Sequence, residues 1–190
     1  KDFSILLEPF GRNTAPAITL ASLKALEKEE DPILLVLSSD HAILNQQKFT
    51  DTLKVGIEYA EKDKLVTFGV LPRYPETGYG YIKAAQPFEK DKLEGIKIEE
   101  FLEKPNLETA KKFVLDKRYT WNSGIFMFKA NVVLKEIENF CPDIIKNCNN
   151  AYKESSHDLD FQRLEKTSFK KCPNVSIDIS VMEKTNNGIV

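Results

Sequence analysis

Histidine is scarce in this 190-residue chain, which has two, His41 and His157. A histidine-rich metal centre or a Ser-His-Asp triad has little to draw on. Cysteine is nearly as rare: Cys141, Cys148 and Cys172 are an odd number without paired spacing, which fits free thiols in a reducing cytoplasm better than a disulfide framework. No apolar run approaches the roughly 20 residues of a membrane helix. Neither sign of charge dominates, with 27 Lys and Arg against 29 Asp and Glu. The basic excess of a nucleic-acid binder is missing, so any bound phosphate is expected on a small molecule. No Walker loop, GxGxxG or CxxC occurs. The first residue is Lys1 rather than Met, no signal peptide precedes Ile5-Leu6-Leu7, and that strand looks buried. These features predict a piece of a longer protein, incomplete at both ends.

What is present is ordinary for a soluble globular domain: 42% hydrophobic and 29% charged residues. Ile33–Leu37 and Leu65–Val70 read as strands buried on both faces, with a helical period of Phe49, Leu53, Ile57 and Ala60 between them. Thr14 through Leu26 reads as a helix capped by Asn13. This rhythm predicts an α/β fold with a mixed, mostly parallel sheet and helices on both faces. Tyr81–Ala84 and Ile96–Leu102 predict a small antiparallel insertion. Glu108–Leu115, Val132–Phe140 and the stretch after Pro142 predict helices. Gly124–Phe128 and Val175–Ile179 predict strands. One domain over 1–190 is the economical organisation.

Open α/β sheets bind ligands at the carboxyl ends of their strands, so the residues just after each strand carry the interest. Glu8-Pro9-Phe10-Gly11-Arg12-Asn13 follows the first strand and leads into a helix N-terminus. A carboxylate at Glu8 suits two adjacent N–H donors such as guanine presents, although a surface ion pair between Glu8 and Arg12 fits the spacing equally well. Asp40 ends the second strand, and Asp178 interrupts an apolar strand, where a carboxylate needs a partner. Two carboxylates with phosphate oxygens and waters make a shell suited to Mg²⁺. Alternatively Asp40 caps the next helix and Asp178 pairs with Lys184.

Tyr79 and Gly80 lie in a glycine-flanked turn that suits a sugar face or an ordinary hairpin. Glu103 and Lys104 suit a sugar hydroxyl and a phosphate, or a solvated strand end. Asn122 offers a donor and an acceptor to a hydroxyl pair, or belongs to a plain loop before a core strand. His41 reads as a supporting residue. Cys141 and Cys148, seven apart on one apparent helix, read as core or surface thiols.

Six segments in this order resemble the mannose-1-phosphate guanylyltransferase family, in the long bacterial form often fused to a mannose-6-phosphate isomerase domain. They are EPFGRNTAPA at Glu8–Ala17, LSSDH at Leu37–His41, TFGVLPRYPETGYGYI at Thr67–Ile82, FLEKP at Phe101–Pro105, WNSGIFMF at Trp121–Phe128 and SIDISVMEK at Ser176–Lys184. The resemblance implies a Rossmann-like, GT-A-like nucleotidyltransferase fold. It implies transfer of GMP from GTP to α-D-mannose 1-phosphate, giving GDP-mannose and pyrophosphate, with Mg²⁺ as cofactor. Glu8, Gly11, Arg12 and Asn13 would then line the guanine and ribose side. Asp40 and Asp178 would hold the metal. Tyr79, Gly80, Glu103 and Asn122 would hold the mannose, and Lys104 its phosphate.

The implied partners are GTP, mannose 1-phosphate and GDP-mannose, without nucleic acid or membrane, in a cytoplasmic protein that allows a homodimer. Ser38 stands where the family often has proline. The family's GGxGTRLWP-like loop, which would steady the departing pyrophosphate, does not occur in the sequence, so this segment alone is expected to turn over little. The competing expectations are a nucleotide-sugar-binding module without catalysis and a segment of a protein named for isomerase activity located elsewhere.

Overall fold

The computed structural model describes residues 3–89 and 92–190. In chain order the elements are β1 (Ile5–Leu7), α1 (Thr14–Ala25), β2 (Ile33–Val36), α2 (Gln46–Ala60), β3 (Leu65–Val70), β4 (Tyr81–Ala84) and β5 (Ile98–Leu102). Then come α3 (Leu107–Leu115), β6 (Tyr119–Lys129), α4 (Ala130–Phe140), α5 (Pro142–Lys153), β7 (Ser156–Asp158), β8 (Phe161–Arg163), α6 (Lys166–Lys170), a π-helical turn (Asp178–Met182) and β9 (Gly188–Ile189). The chain divides into two compact units, one of residues 1–32 and 130–184, the other of residues 33–129 and 185–190.

The first unit is mainly helical. Its three-stranded sheet has the order β1-β8-β7, with β1 parallel to β8. β1 is only half-buried, not the core strand expected. Ile18 and Leu20 of α1, Val133 and Ile137 of α4, and Ile144 and Cys148 of α5 are buried. Asn13 does cap α1: at φ 67° its side chain accepts from Thr14 N. Cys141 occupies the N-cap position of α5 without a side-chain cap bond, and Cys148 lies inside that helix, so the expected shared helix begins just after the first thiol.

The second unit holds a sheet of order β5-β4-β6-β3-β9, with β2 also pairing β6. The sequence rhythm of β2, α2 and β3 suggested neighbouring parallel strands. Instead β6, eleven residues long, pairs antiparallel with both β2 and β3. They run parallel to one another across it, as a helical crossover demands, but their ladders are antiparallel. Among the described residues the parallel pairs are β1–β8 and β3–β9, so the sheets are mixed rather than mostly parallel. The insertion of β4 against β5 is antiparallel as expected. Leu35 and Leu37 are 37% and 51% exposed, so β2 is not buried on both faces.

α2 packs Ala60 against Val66, Phe68, Ile125 and Met127. α3 sets Ala110 and Phe113 against Tyr81, Tyr119 and Trp121, with the Phe113 and Tyr119 rings stacked at 4.0 Å. Asn106 caps α3 by accepting from Thr109 N at 2.9 Å. Asn106→Ala is expected to lower stability by about 1 kcal/mol in urea unfolding.

Val175–Ile179, expected as a strand, enters the π-helical turn instead. Ser176 O accepts from both the N and Oγ of Ser180, and Ser176 Oγ accepts from Ile179 N. Two serines four apart satisfy the local backbone and draw it away from a sheet ladder. Asp178 therefore opens a helical turn rather than interrupting a strand.

Candidate active site

In the first unit, β1 delivers Glu8 to the loop before α1. Glu8 is half-buried, and its Oε1 is shielded from water with no hydrogen-bond partner among the described residues. Burial pushes its carboxyl above the ordinary value. The surface ion pair with Arg12 does not form. Arg12 Nη2 instead donates to Lys170 O at 2.5 Å at the end of α6, and its guanidinium lies 5.9 Å from the Phe10 ring centre. Its Nε is also buried without a partner among the described residues. An acceptor and a donor left over in one loop suit a ligand that offers both. Gly11 is not demanded by the fold, since an added Cβ meets nothing within 4 Å.

The same unit ties the approach to Asp178 onto this loop. Ala15 N donates to Val175 O at 3.3 Å, and Thr14 Oγ1 accepts from Ile177 N at 2.9 Å. Glu8, Arg12, Asn13 and the turn bearing Asp178 thus gather around the start of α1. Sequence spacing could not reveal this, because the contacts join opposite ends of the chain.

In the second unit, β4, β5 and β6 bring three expected sugar residues together. Asn122 N donates to Gly80 O at 2.8 Å. A Cβ on Gly80 would sit 2.6 Å from Glu103 Oε2 and 3.5 Å from Asn122 Cβ, so the glycine is what lets the Glu103 carboxylate close over the strand. Asn122 Oδ1 also meets Thr67 Oγ1 at 3.4 Å and accepts from Gly124 N at 3.1 Å. Gly124, at φ +70°, allows the kink at which β6 changes register against β3. Asn122 therefore belongs to a kinked strand, not to a loop before one.

Tyr79 is placed differently from the other three. Its ring stands edge-on to Trp121 at 5.5 Å, beside Tyr74 at 4.9 Å from the same indole. The turn is braced by Glu76, whose Oε1 accepts from Gly78 N and whose carbonyl accepts from Tyr81 Oη. Lys104 directly follows Glu103, with Nζ 3.5 Å from Glu103 Oε1 and a left-handed φ of 47°. Such a conformation is costly for lysine and is concentrated at functional positions. Thr67, Glu76 and Trp121 are supporting residues that sequence reasoning passed over, since each reads locally as part of a strand or turn.

Asp40 lies in an exposed turn after β2 and accepts from Ser38 Oγ. That hydrogen bond first, and the charge of His41 less strongly, hold its carboxyl below the ordinary value, so it is ionised at neutral pH. It does not cap α2; Asn45 does, accepting from Lys48 N at 2.9 Å. His41 is exposed. Among the described residues no group of three His, Cys, Asp or Glu is placed to hold a metal. Asp40 and Asp178 are each hard oxygen donors, of the kind that a divalent cation takes alongside phosphates and water.

A family model described as nucleotidyl transferase matches residues 2–167. The chain is 48% identical over 189 residues to a mannose-1-phosphate guanylyltransferase of Salmonella montevideo, covering 98% of this chain and 40% of that protein. A crystal structure of a mannose-6-phosphate isomerase from Helicobacter pylori superposes with a TM-score of 0.84 at 33% identity, covering 100% of this chain and 72% of that one. A Thermus thermophilus structure described as a mannose-1-phosphate geranyltransferase gives 0.80 at 31% identity, covering 97% and 51%. The chain spans about two fifths of the length of the curated relatives it matches. No helix of the described residues is long and apolar enough to cross a membrane.

Proposed function

Because the chain belongs to the nucleotidyl transferase family, we propose that it carries the core of an enzyme transferring GMP from GTP to α-D-mannose 1-phosphate. A phosphate oxygen of mannose 1-phosphate attacks the α-phosphorus of GTP. The bond from that phosphorus to the bridging oxygen breaks, and pyrophosphate leaves as GDP-mannose forms. The protein's work is positioning and charge neutralisation, so two histidines are no obstacle.

The observation that carries this reading is Glu8, a half-buried carboxylate with one oxygen unpartnered among the described residues. Guanine's N1–H and exocyclic amino group present the adjacent donors such a carboxylate takes; adenine lacks that pair. Gly11 leaves room beside the base, and Arg12 and Asn13 line the guanine and ribose side. Gly80, Glu103 and Asn122 hold the mannose hydroxyls, Tyr79 closes the sugar side from its seat on Trp121, and Lys104 meets the sugar phosphate as a point charge. Enzymes of this family use a divalent ion, here proposed to be Mg²⁺ taken by Asp40 and Asp178. When bound, it supplies positive charge against the α-phosphate oxygens. The whole is proposed as one cytoplasmic nucleotidyltransferase domain over 1–190 that does not require nucleic acid or membrane and allows a homodimer.

Glu8→Gln is the test. The variant keeps one acceptor and gains a donor that faces guanine's own donors. GTP affinity is expected to fall roughly 10- to 100-fold, from the cost of a lost hydrogen bond to a charged group, with ATP affinity little changed. Equal losses for both nucleotides would remove Glu8 from the base site. A pH series checks the same residue. Its carboxyl titrates above the ordinary value, so as pH falls the GTP preference is expected to fade before an unperturbed carboxylate would protonate. The stability effect has the opposite sign. Burial disfavours the charged form, so protonation relieves a cost and the Glu8 contribution to folding improves as pH drops toward its unfolded value.

The Helicobacter pylori likeness raises isomerisation as a second activity. No group of three metal-ligating residues is found among the described residues. This segment is expected to leave fructose 6-phosphate unchanged in a coupled assay.

A further inference from the structure

Two thiols that the proposed reaction does not use meet in the first unit. Cys148 Sγ on α5 and Cys172 Sγ just beyond α6 are 3.5 Å apart, 0% and 3% exposed. A disulfide needs about 2.05 Å between sulfurs, so closure asks for roughly 1.5 Å of movement. Cys172 sits two residues past Lys170, whose carbonyl holds Arg12, and three before Val175, whose carbonyl holds Ala15 N. Its neighbour Lys171 also receives a long hydrogen bond from Asn147 Nδ2 of α5, at 3.4 Å. The segment 170–175 therefore links the thiol pair to Arg12 in the Glu8–Asn13 loop and to the first turn of α1.

We propose that Cys148 and Cys172 form a reversible disulfide whose closure shifts segment 170–175 and loosens the loop carrying Glu8 and Arg12. The oxidant is a hydroperoxide such as hydrogen peroxide. One sulfur, as thiolate, attacks a peroxide oxygen; the O–O bond breaks, a sulfenic acid forms, and the departing hydroxide is protonated to water. The second thiolate attacks the sulfenic sulfur and a second water leaves. The two sulfurs together give up two electrons, and a dithiol reductant restores both thiols.

The surroundings assign the roles. Cys172 is drawn below the ordinary thiol value, first by its hydrogen bond with Cys148 and then by the charge of Arg12, while Cys148 is pushed up by that same hydrogen bond and by burial. Cys172 is thus the attacking thiolate and Cys148 the resolving thiol. Burial of both sulfurs makes the step depend on local opening, so oxidation is slow compared with that of an exposed thiolate.

The functional consequence rests on the assignment of Glu8 and Arg12 to the nucleotide; the disulfide itself does not. In the test, the full chain is treated with hydrogen peroxide, alkylated, digested and read by mass spectrometry, with hydrogen exchange measured across residues 9–15. The expected result is a protein lighter by two hydrogens, a peptide cross-link between Cys148 and Cys172, and one alkylated thiol, Cys141. Exchange across 9–15 rises and returns to its starting level with dithiothreitol. Cys148→Ala and Cys172→Ser each remove the cross-link and the exchange change; the wild-type experiment needs neither variant. Three alkylated thiols after peroxide, a cross-link through Cys141, or a cross-link with exchange across 9–15 unmoved would each overturn the proposal. GTP affinity is expected to fall severalfold in the oxidised form. If the cross-link and exchange change occur while GTP affinity holds, the redox pair stands and the loop's assignment to the nucleotide falls.

Discussion

In a protein that joins this chain to the family's GGxGTRLWP-like loop, Asp178→Asn is expected to lower metal-dependent turnover by about three orders of magnitude, the equivalent of about 4 kcal/mol of transition-state stabilisation. Asparagine keeps the size and one oxygen of aspartate but loses the charge that draws a divalent ion. The π-helical turn is held by Ser176 and Ser180 together with Thr14, none of which depends on the Asp178 side chain for the bonds described. Circular dichroism and melting temperature read any structural role of the side chain separately from its part in metal-dependent turnover. Asp40→Asn is expected to shift the metal dependence in the same direction, since Asp40 is fully exposed and its described partner is Ser38. Titration with Mg²⁺ is the informative readout. The variants should need much more metal for half-maximal rate. An unchanged metal dependence in Asp178→Asn would make that residue structural.

The second large effect is expected at the glycine beneath Glu103. Gly80→Ala puts a methyl group 2.6 Å from Glu103 Oε2. The obstacle is the end of a flexible side chain, so the carboxylate swings aside and the strand stays paired. Stability should change little, while the KM for mannose 1-phosphate rises roughly 10- to 100-fold, the cost of losing a charged hydrogen bond. Glu103→Gln is expected to give a rise of the same order with kcat less affected. If Gly80→Ala leaves the KM for the sugar phosphate unchanged and alters only that for GTP, the cluster of Gly80, Glu103 and Asn122 serves the nucleotide instead.

These residues also show what a sequence can and cannot tell. Helices α1, α2, α3 and α4 announced themselves through apolar spacing, and α1 also through its Asn cap, while the β4–β5 insertion showed as a change of rhythm. Where prediction failed, long-range pairing had decided the outcome. β2 and β3 looked like adjacent parallel strands, but β6 inserts between them from far along the chain. Val175–Ile179 has the composition of a strand, yet Ser176 and Ser180 capture the backbone locally while Thr14 and Ala15 hold its approach.

The candidate site residues stand in ordered motifs, because each segment keeps its residue types near strand ends and loop starts. Their roles were less so. Arg12 and Glu8 fit an ion pair by spacing, and only the position of Lys170 O shows why Arg12 turns away. Tyr79 and Gly80 are adjacent in sequence, but one ring rests on Trp121 while the other residue's missing side chain makes room for Glu103. Cys148 and Cys172 lie in segments with no shared motif, and their approach follows from the packing of α5 beside α6.

Following the fate of the α-phosphorus would be decisive. GTP labelled at that atom is incubated with mannose 1-phosphate, Mg²⁺ and a protein that joins this chain to the family's GGxGTRLWP-like loop, and the products are separated. The label should pass into GDP-mannose with an equal amount of unlabelled pyrophosphate released, and ATP labelled in the same place should be a poor donor. Label that remains in GTP, or that moves from ATP just as readily, would contradict a guanylyl transfer directed by Glu8.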